Sequence, residues 1–228
     1  MREFLLAICA PAIWVIAAIE LALMILMIPK IKKTGSKVII CTALITFGLF
    51  FDAFIIALGT IFSAESMTVV SRFRFITHGV LIPLLFPICA EALNLKRVPK
   101  IVVYVITGLL MVAGLAEALA TVLGPVEIAG ISRMASVKGE TPAWAEGISR
   151  VLSFGTVIPL MIVGVIAWIK EKTPFLFLAG FLMFAFSAVG PATGNSDLIF
   201  FISMFGEVLM VVFLLLYGLK RTRAEKNK

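Results

Sequence analysis

The chain has 228 residues, of which 61% are hydrophobic and only 14% charged, with a mean hydropathy of +1.13. Soluble domains run about 45–50% apolar, so a soluble globular protein is excluded. The formal net charge of +7 is divided among short connections rather than gathered in one patch, which argues against a nucleic-acid partner.

Apolar stretches of about 20 residues match the length a helix needs to cross the hydrocarbon core. Seven are predicted, at 4–29, 37–62, 70–93, 101–123, 149–169, 174–190 and 198–219. The expected fold class is therefore an all-α membrane protein, with residues 1–228 forming a single transmembrane domain. Helix 1 opens with Arg2 and a run containing Ala7 and Ala10, as a secretory signal would. The run continues to Met27 and ends on a basic flank, so it reads as a retained helix.

Lys30, Lys32, Lys33 and Lys37 flank the first connection, Lys96, Arg97 and Lys100 the third, and Lys170 and Lys172 the fifth. Lys220, Arg221, Arg223, Lys226 and Lys228 follow helix 7. Fourteen of the 20 basic residues thus share one side. The positive-inside rule makes that side cytoplasmic, with the N-terminus out and the C-terminus in. An integral, multi-pass location, in a prokaryotic plasma membrane, is expected.

Helix 2 carries DAFIIALG at 52–59, and helix 4 carries EALATVLG at 117–124. Helix 3 then reads RFITHGVLIPLL from Arg74, and helix 5 reads RVLSFGTVIPLM from Arg150. The two share Arg, Gly, Ile, Pro and Leu at matching positions. A fainter third copy lies in helices 6 and 7: SAVGP at 187–191 resembles TVLGP at 121–125, and SMFGEV at 203–208 resembles LSFGTV at 152–157. In that copy Met183 stands at the acid position and Phe201 at the Arg position. Arg2, Arg74 and Arg150 each precede a proline (Pro11, Pro83, Pro159) by the same spacing. The expectation is one leading helix followed by three related hairpins at about 37–93, 101–169 and 174–219. Pro83 and Pro159 are expected to kink their helices.

The 124–148 segment is the longest expected outer loop, either a lid or a connector, with Trp144 placed to sit at headgroup level. The 190–197 loop, GPATGNSD, reads as a tight polar turn.

Ionisable residues inside a membrane cost about 2.5–3.5 kcal/mol each on insertion scales and usually face the bundle interior. Asp52 is expected about 15 Å below the outer end of helix 2, and His78 about 12 Å below the start of helix 3. Arg74 lies one turn from His78 on the same face, and Arg72 points elsewhere. Asp52, Arg74, His78, Glu117, Arg150 and Glu207 are the candidate substrate- and proton-binding residues. They are expected to converge in a polar cavity in the outer half of the bundle. Asp52–Arg74 and Glu117–Arg150 read equally as structural ion pairs. Glu20 and Glu91 are placed toward the cytoplasmic half, Glu91 as a snorkelling side chain. Cys9, Cys41 and Cys89 follow no metal spacing, and neither a metal nor a cofactor is expected.

The leading functional expectation is a transporter for a small anionic or proton-coupled solute. The alternatives are a membrane-embedded enzyme acting on a lipid or isoprenoid, and a ligand-binding receptor or scaffold. No hydrolase elbow, multi-His set or nucleotide motif is present. Helix 7 has no lysine inside the bilayer for a retinal Schiff base. The expected partners are membrane lipids and a small molecule or lipid in the outer-half cavity.

Overall fold

A computed structural model of the chain describes residues 2–137, 139–194 and 196–226. Lys228 of the basic tail and Asn195 of the 190–197 turn lie outside them.

Among the described residues, seven helical segments are long and apolar enough to cross a membrane, making this a multi-pass membrane protein. They are built from α1 (Arg2–Thr34), α2 (Lys37–Leu58), α3 (Thr68–Leu81), α4 (Leu85–Ala92), α5 (Arg97–Ala120), α6 (Ala143–Glu171), α7 (Phe175–Ala192) and α8 (Ile199–Lys226). The third span combines α3 and α4, joined by a 3-10 turn at Ile82–Leu84 that contains Pro83. Proline has no N–H and clashes with the preceding turn, so the α pattern breaks there. Pro159, at the matching place in the sequence, lies inside an unbroken α6. Matching sequence has not produced matching backbone at this position.

The helices form a ring. α1 packs on α2, α2 on α3, α3 on α5, α5 on α6, α6 on α7, α7 on α8 and α8 back on α1. α2 also meets α8, and α4 meets α6, which fills the middle. Two glycines set the closest crossing. A Cβ on Gly114 of α5 would lie 2.2 Å from the Gly79 carbonyl oxygen of α3. Only bare backbone fits both sides of that contact.

The long connection after α5 is not irregular. Leu123–Ile128 (β1) pairs antiparallel with Ile131–Ser136 (β2), in register from Leu123↔Ser136 to Ile128↔Ile131. The two turn residues, Ala129 at φ 56 and Gly130 at φ 72, are both left-handed. Such turns match the twist of a tight hairpin. The hairpin is docked rather than free. Ile131 is fully buried, and the Ser132 N–H donates to the Gly59 carbonyl at 2.8 Å. The Ala64 N–H donates to Ser132 Oγ at 2.9 Å. A side chain at Gly59 would meet the Ser132 carbonyl at 2.1 Å, so the strand lies directly on the end of α2.

Two apolar cores occupy opposite halves of the bundle. One, at the hairpin end, includes Cys9, Ile13, Ala53, Ile56, Ile131, Phe201 and Met204. The other includes Met27, Ile45, Leu49, Leu85, Leu160, Met210 and Tyr217. Beyond the second core, the basic ends are tied by ion pairs. Glu91 accepts from Lys100 at 3.1 Å and lies 3.8 Å from Lys37, while Glu171 lies 3.5 Å from Arg221. Glu91 is thus a cross-link between α4, α5 and α2, not a lone snorkelling acid.

Candidate functional site

Between the two cores lies a polar layer. On α1, Glu20 separates Ala17 of one core from Met27 of the other. On α2, Asp52 separates Ala53 from Leu49. On α8, Glu207 separates Met204 from Met210. At helical rise, Asp52 is about 9 Å from the Leu58 end of α2, and Glu207 about 12 Å from the Ile199 start of α8. Three acids from three helices therefore share one level of the membrane interior.

Arg74 joins them from α3. Its Nε lies 3.4 Å from Asp52 Oδ1, and its Nη2 donates to the Met134 carbonyl at 2.9 Å. The guanidinium carbon also lies 4.7 Å from the centroid of the Phe75 ring, within cation–π range. Only 5% of the Arg74 side chain is exposed. Breaking a buried pair of this kind costs about 3–5 kcal/mol, because the surviving charge is left alone. One turn along, His78 is exposed and within electrostatic reach of Asp52 and Arg74. Glu207 is within reach of the same two groups.

Glu20 stands out chemically. It is fully buried, and among the described residues neither carboxylate oxygen has a hydrogen-bond partner. Its neighbours within electrostatic reach are the like-charged Glu207 and Asp52. An ionised carboxylate in that setting is penalised both by lost solvation and by repulsion, so the site calls for a proton or a cation. One Glu207 oxygen, Oε2, is also buried without a partner.

The last member comes from the hairpin. Arg133 places its guanidinium carbon 3.9 Å from the centroid of the Phe200 ring. Burial, with the Arg74 charge added, lowers its guanidinium to about 10, against the pull of Asp52 and Cys9. Three carboxylates thus face two guanidiniums and one imidazole. The layer is electrically balanced when one carboxylate carries a proton, and a second proton leaves one positive charge over.

The chain matches no family model and no curated protein sequence.

Four of the six expected residues, Asp52, Arg74, His78 and Glu207, are brought together. Glu117 and Arg150 are not part of this group. Glu117 accepts from Thr121 Oγ1 at 3.2 Å. Arg150 has a 75% exposed side chain and pairs with Glu146 at 3.4 Å, one turn earlier on its own helix. The expected Glu117–Arg150 pair is absent because each side chain finds a partner closer in sequence. Arg72, expected to point elsewhere, donates to the Ala118 and Thr121 carbonyls, both at 2.6 Å. It satisfies carbonyls at the α5 C-terminus, where a cation is also favoured by the helix dipole.

Two members were not among the expected six. Glu20, expected toward the cytoplasmic half, lies at the level of Asp52. Arg133 sat in a segment read as loop. The only signal for it was weak, a glycine able to take a left-handed turn position between PVEI and ISRMAS. Among the described residues, no three His, Cys, Asp or Glu side chains gather closely enough to hold a metal ion.

Proposed function

We propose that this protein is a transporter that couples the movement of a small solute to protons. The observation that carries the reading is Glu20, a fully buried carboxylate with both oxygens unpartnered and two acids beside it. A purely structural layer would be satisfied by neutral side chains or complete ion pairs. A carboxylate held in apolar surroundings between cores suits a group that takes up and gives back a proton. His78, one turn from Arg74 and electrostatically linked to Asp52, is the titratable imidazole placed to relay that proton. The hairpin, which carries Arg133 and is bonded by Arg74, would cover the outer entrance.

The test uses the purified full chain in liposomes loaded with a pH-sensitive dye. Small carboxylates, amino acids and phosphate are added outside one at a time. At least one should drive a change in internal pH, and Glu20→Gln should abolish it while leaving the helical spectrum intact. If no solute moves protons through the wild-type protein, the reading fails.

One observation favours a second reading, binding of a lipid or isoprenoid. An apolar groove of about 430 Å³ runs along α1 and α8, lined by Ile8, Val15, Ile19, Phe205 and Leu209 among others. Ile19 and Val208 on its wall are sequence neighbours of Glu20 and Glu207. A lipid extracted with the protein, and absent from a Val15→Trp variant, would favour this reading.

A further inference from the structure

The two guanidiniums of the layer are satisfied very differently. Arg74 has Asp52 and the Met134 carbonyl. Arg133, among the described residues, makes no ion pair and no hydrogen bond, and its Nε is buried without a partner. Its guanidinium lies over the Phe200 ring. The charge nearest in kind is another cation, Arg74, which lies within electrostatic reach.

Asp52 is also within reach, but it is committed to Arg74 at 3.4 Å. The Nε of Arg74, for its part, is buried and makes no hydrogen bond. Each arginine thus keeps its Nε–H away from water without a hydrogen-bond partner, and two cations within reach of each other are unfavourable unless something negative completes them. The guanidinium fork suits groups with two oxygens in a plane, which are met by paired N–H donors. An aromatic floor keeps such a fork fixed in orientation.

We propose that Arg133 and Arg74 form a binding site for a small oxyanion, a carboxylate or a phosphate-type group, under the β1–β2 hairpin. The proposal rests on the transport reading for its role, where it names the substrate class; the site itself stands on the two arginines. The charge count fits. An anion arriving with one proton adds no net charge to the layer, so the pair can enter together without leaving a bare charge in the membrane. The hairpin acts as both lid and ligand. Arg133 sits on β2, and Arg74 holds the same strand through Met134. Occupation by an anion therefore ties the lid shut from two directions.

The experiment is calorimetric titration of the purified full chain with acetate and with inorganic phosphate, at constant ionic strength maintained with chloride. It is run in nanodiscs of phosphatidylcholine and again in nanodiscs of phosphatidylglycerol. Binding of either oxyanion in both, weakened at least ten-fold by Arg133→Gln and less by Arg133→Lys, supports a site for a free solute. Binding seen in phosphatidylcholine and lost in phosphatidylglycerol supports the same site with a lipid headgroup as occupant. No binding, or equal binding by Arg133→Gln, overturns it. Should Arg133→Gln not fold, modification of wild-type Arg133 by phenylglyoxal, read by mass spectrometry, replaces it. The oxyanion should slow that modification, and an unchanged rate overturns the site. Solute-driven proton movement without oxyanion binding would sink this site alone. Oxyanion binding without any proton movement would sink the transport reading alone.

Discussion

Substituting Gly114 by alanine tests the packing that holds α3, and with it Arg74 and His78, in place. The added methyl would lie 2.2 Å from the Gly79 carbonyl oxygen, 2.6 Å from its carbon and 3.0 Å from its Cα. A carbon and a carbonyl oxygen in relaxed contact sit at about 3.3–3.6 Å. The helices must then part by about 1 Å, because the opposing atoms are backbone and have no rotamer to yield. Overpacking of this kind costs about 1–3 kcal/mol. Alanine's better helix propensity, worth up to about 1 kcal/mol, works the other way. Gly108 supplies the internal control. It lies on the same helix, and a methyl there meets nothing within 4 Å. Gly108→Ala carries the propensity gain without the clash, so the difference between the two variants isolates the clash. The expected difference is about 1–3 kcal/mol, read from reversible unfolding in mixed detergent followed by circular dichroism. If the two variants agree within about 0.5 kcal/mol, the scatter of neutral surface substitutions, the close crossing of α3 and α5 is refuted.

Other expectations concern the ends of the bundle. Asp197, on the turn before α8, accepts hydrogen bonds from Arg2 at 3.0 and 2.6 Å, which holds its carboxyl below the ordinary aspartate value of 3.8. A lowered carboxyl contributes stability above the unfolded value and loses it as pH falls through the folded one. Protection of backbone amides at the start of α1 against hydrogen exchange, taken relative to the unfolded chain at the same pH, should fall once pH drops below about 3.8. Asp197→Asn should show the faster exchange already at neutral pH, by a small amount because the pair is exposed. Exchange at α1 that ignores both changes would deny the tether any role. Orientation is open to labelling in a cysteine-free background. An impermeant maleimide added to intact cells should label Ser66→Cys, and should reach Lys33→Cys only after permeabilisation; the reverse pattern overturns the outward N-terminus.

The seven spans were legible because hydrophobic length is a direct consequence of bilayer thickness. Their edges were less so. The second span was read to 62 but ends as a helix at Leu58, because Gly59 receives the hairpin there. The hairpin is hard to tell from a loop in the sequence, since its Ala129–Gly130 turn is a weak signal beside long apolar helices. Of the charged residues, Asp52, Arg74 and His78 were placed together by helical spacing within one pair of adjacent helices. Glu207 was legible as an acid near mid-bilayer on the last span, whereas placing Glu20 beside it required knowing that the first and last helices close the ring, which no local pattern encodes. The likeness of 52–59 to 117–124 suggested that Glu117 and Arg150 would behave as Asp52 and Arg74 do. The two copies differ in neighbours: Glu117 has Thr121 one turn along its own helix, and Arg150 has Glu146. Similar letters in a different surround gave different partners.

The polar layer draws on α1, α2 and α3, the first three spans, and on α8, the final one. During synthesis, Glu20 and Asp52 reach the bilayer long before the ribosome has made Glu207 or Met204. Until then the side of α1 and α2 that will meet α8 has no protein to lean on. A nascent chain stalled ahead of residue 199 would hold acids against lipid with their shelter missing. Arrival of the last helix, which packs on both α1 and α2, is the step that covers them.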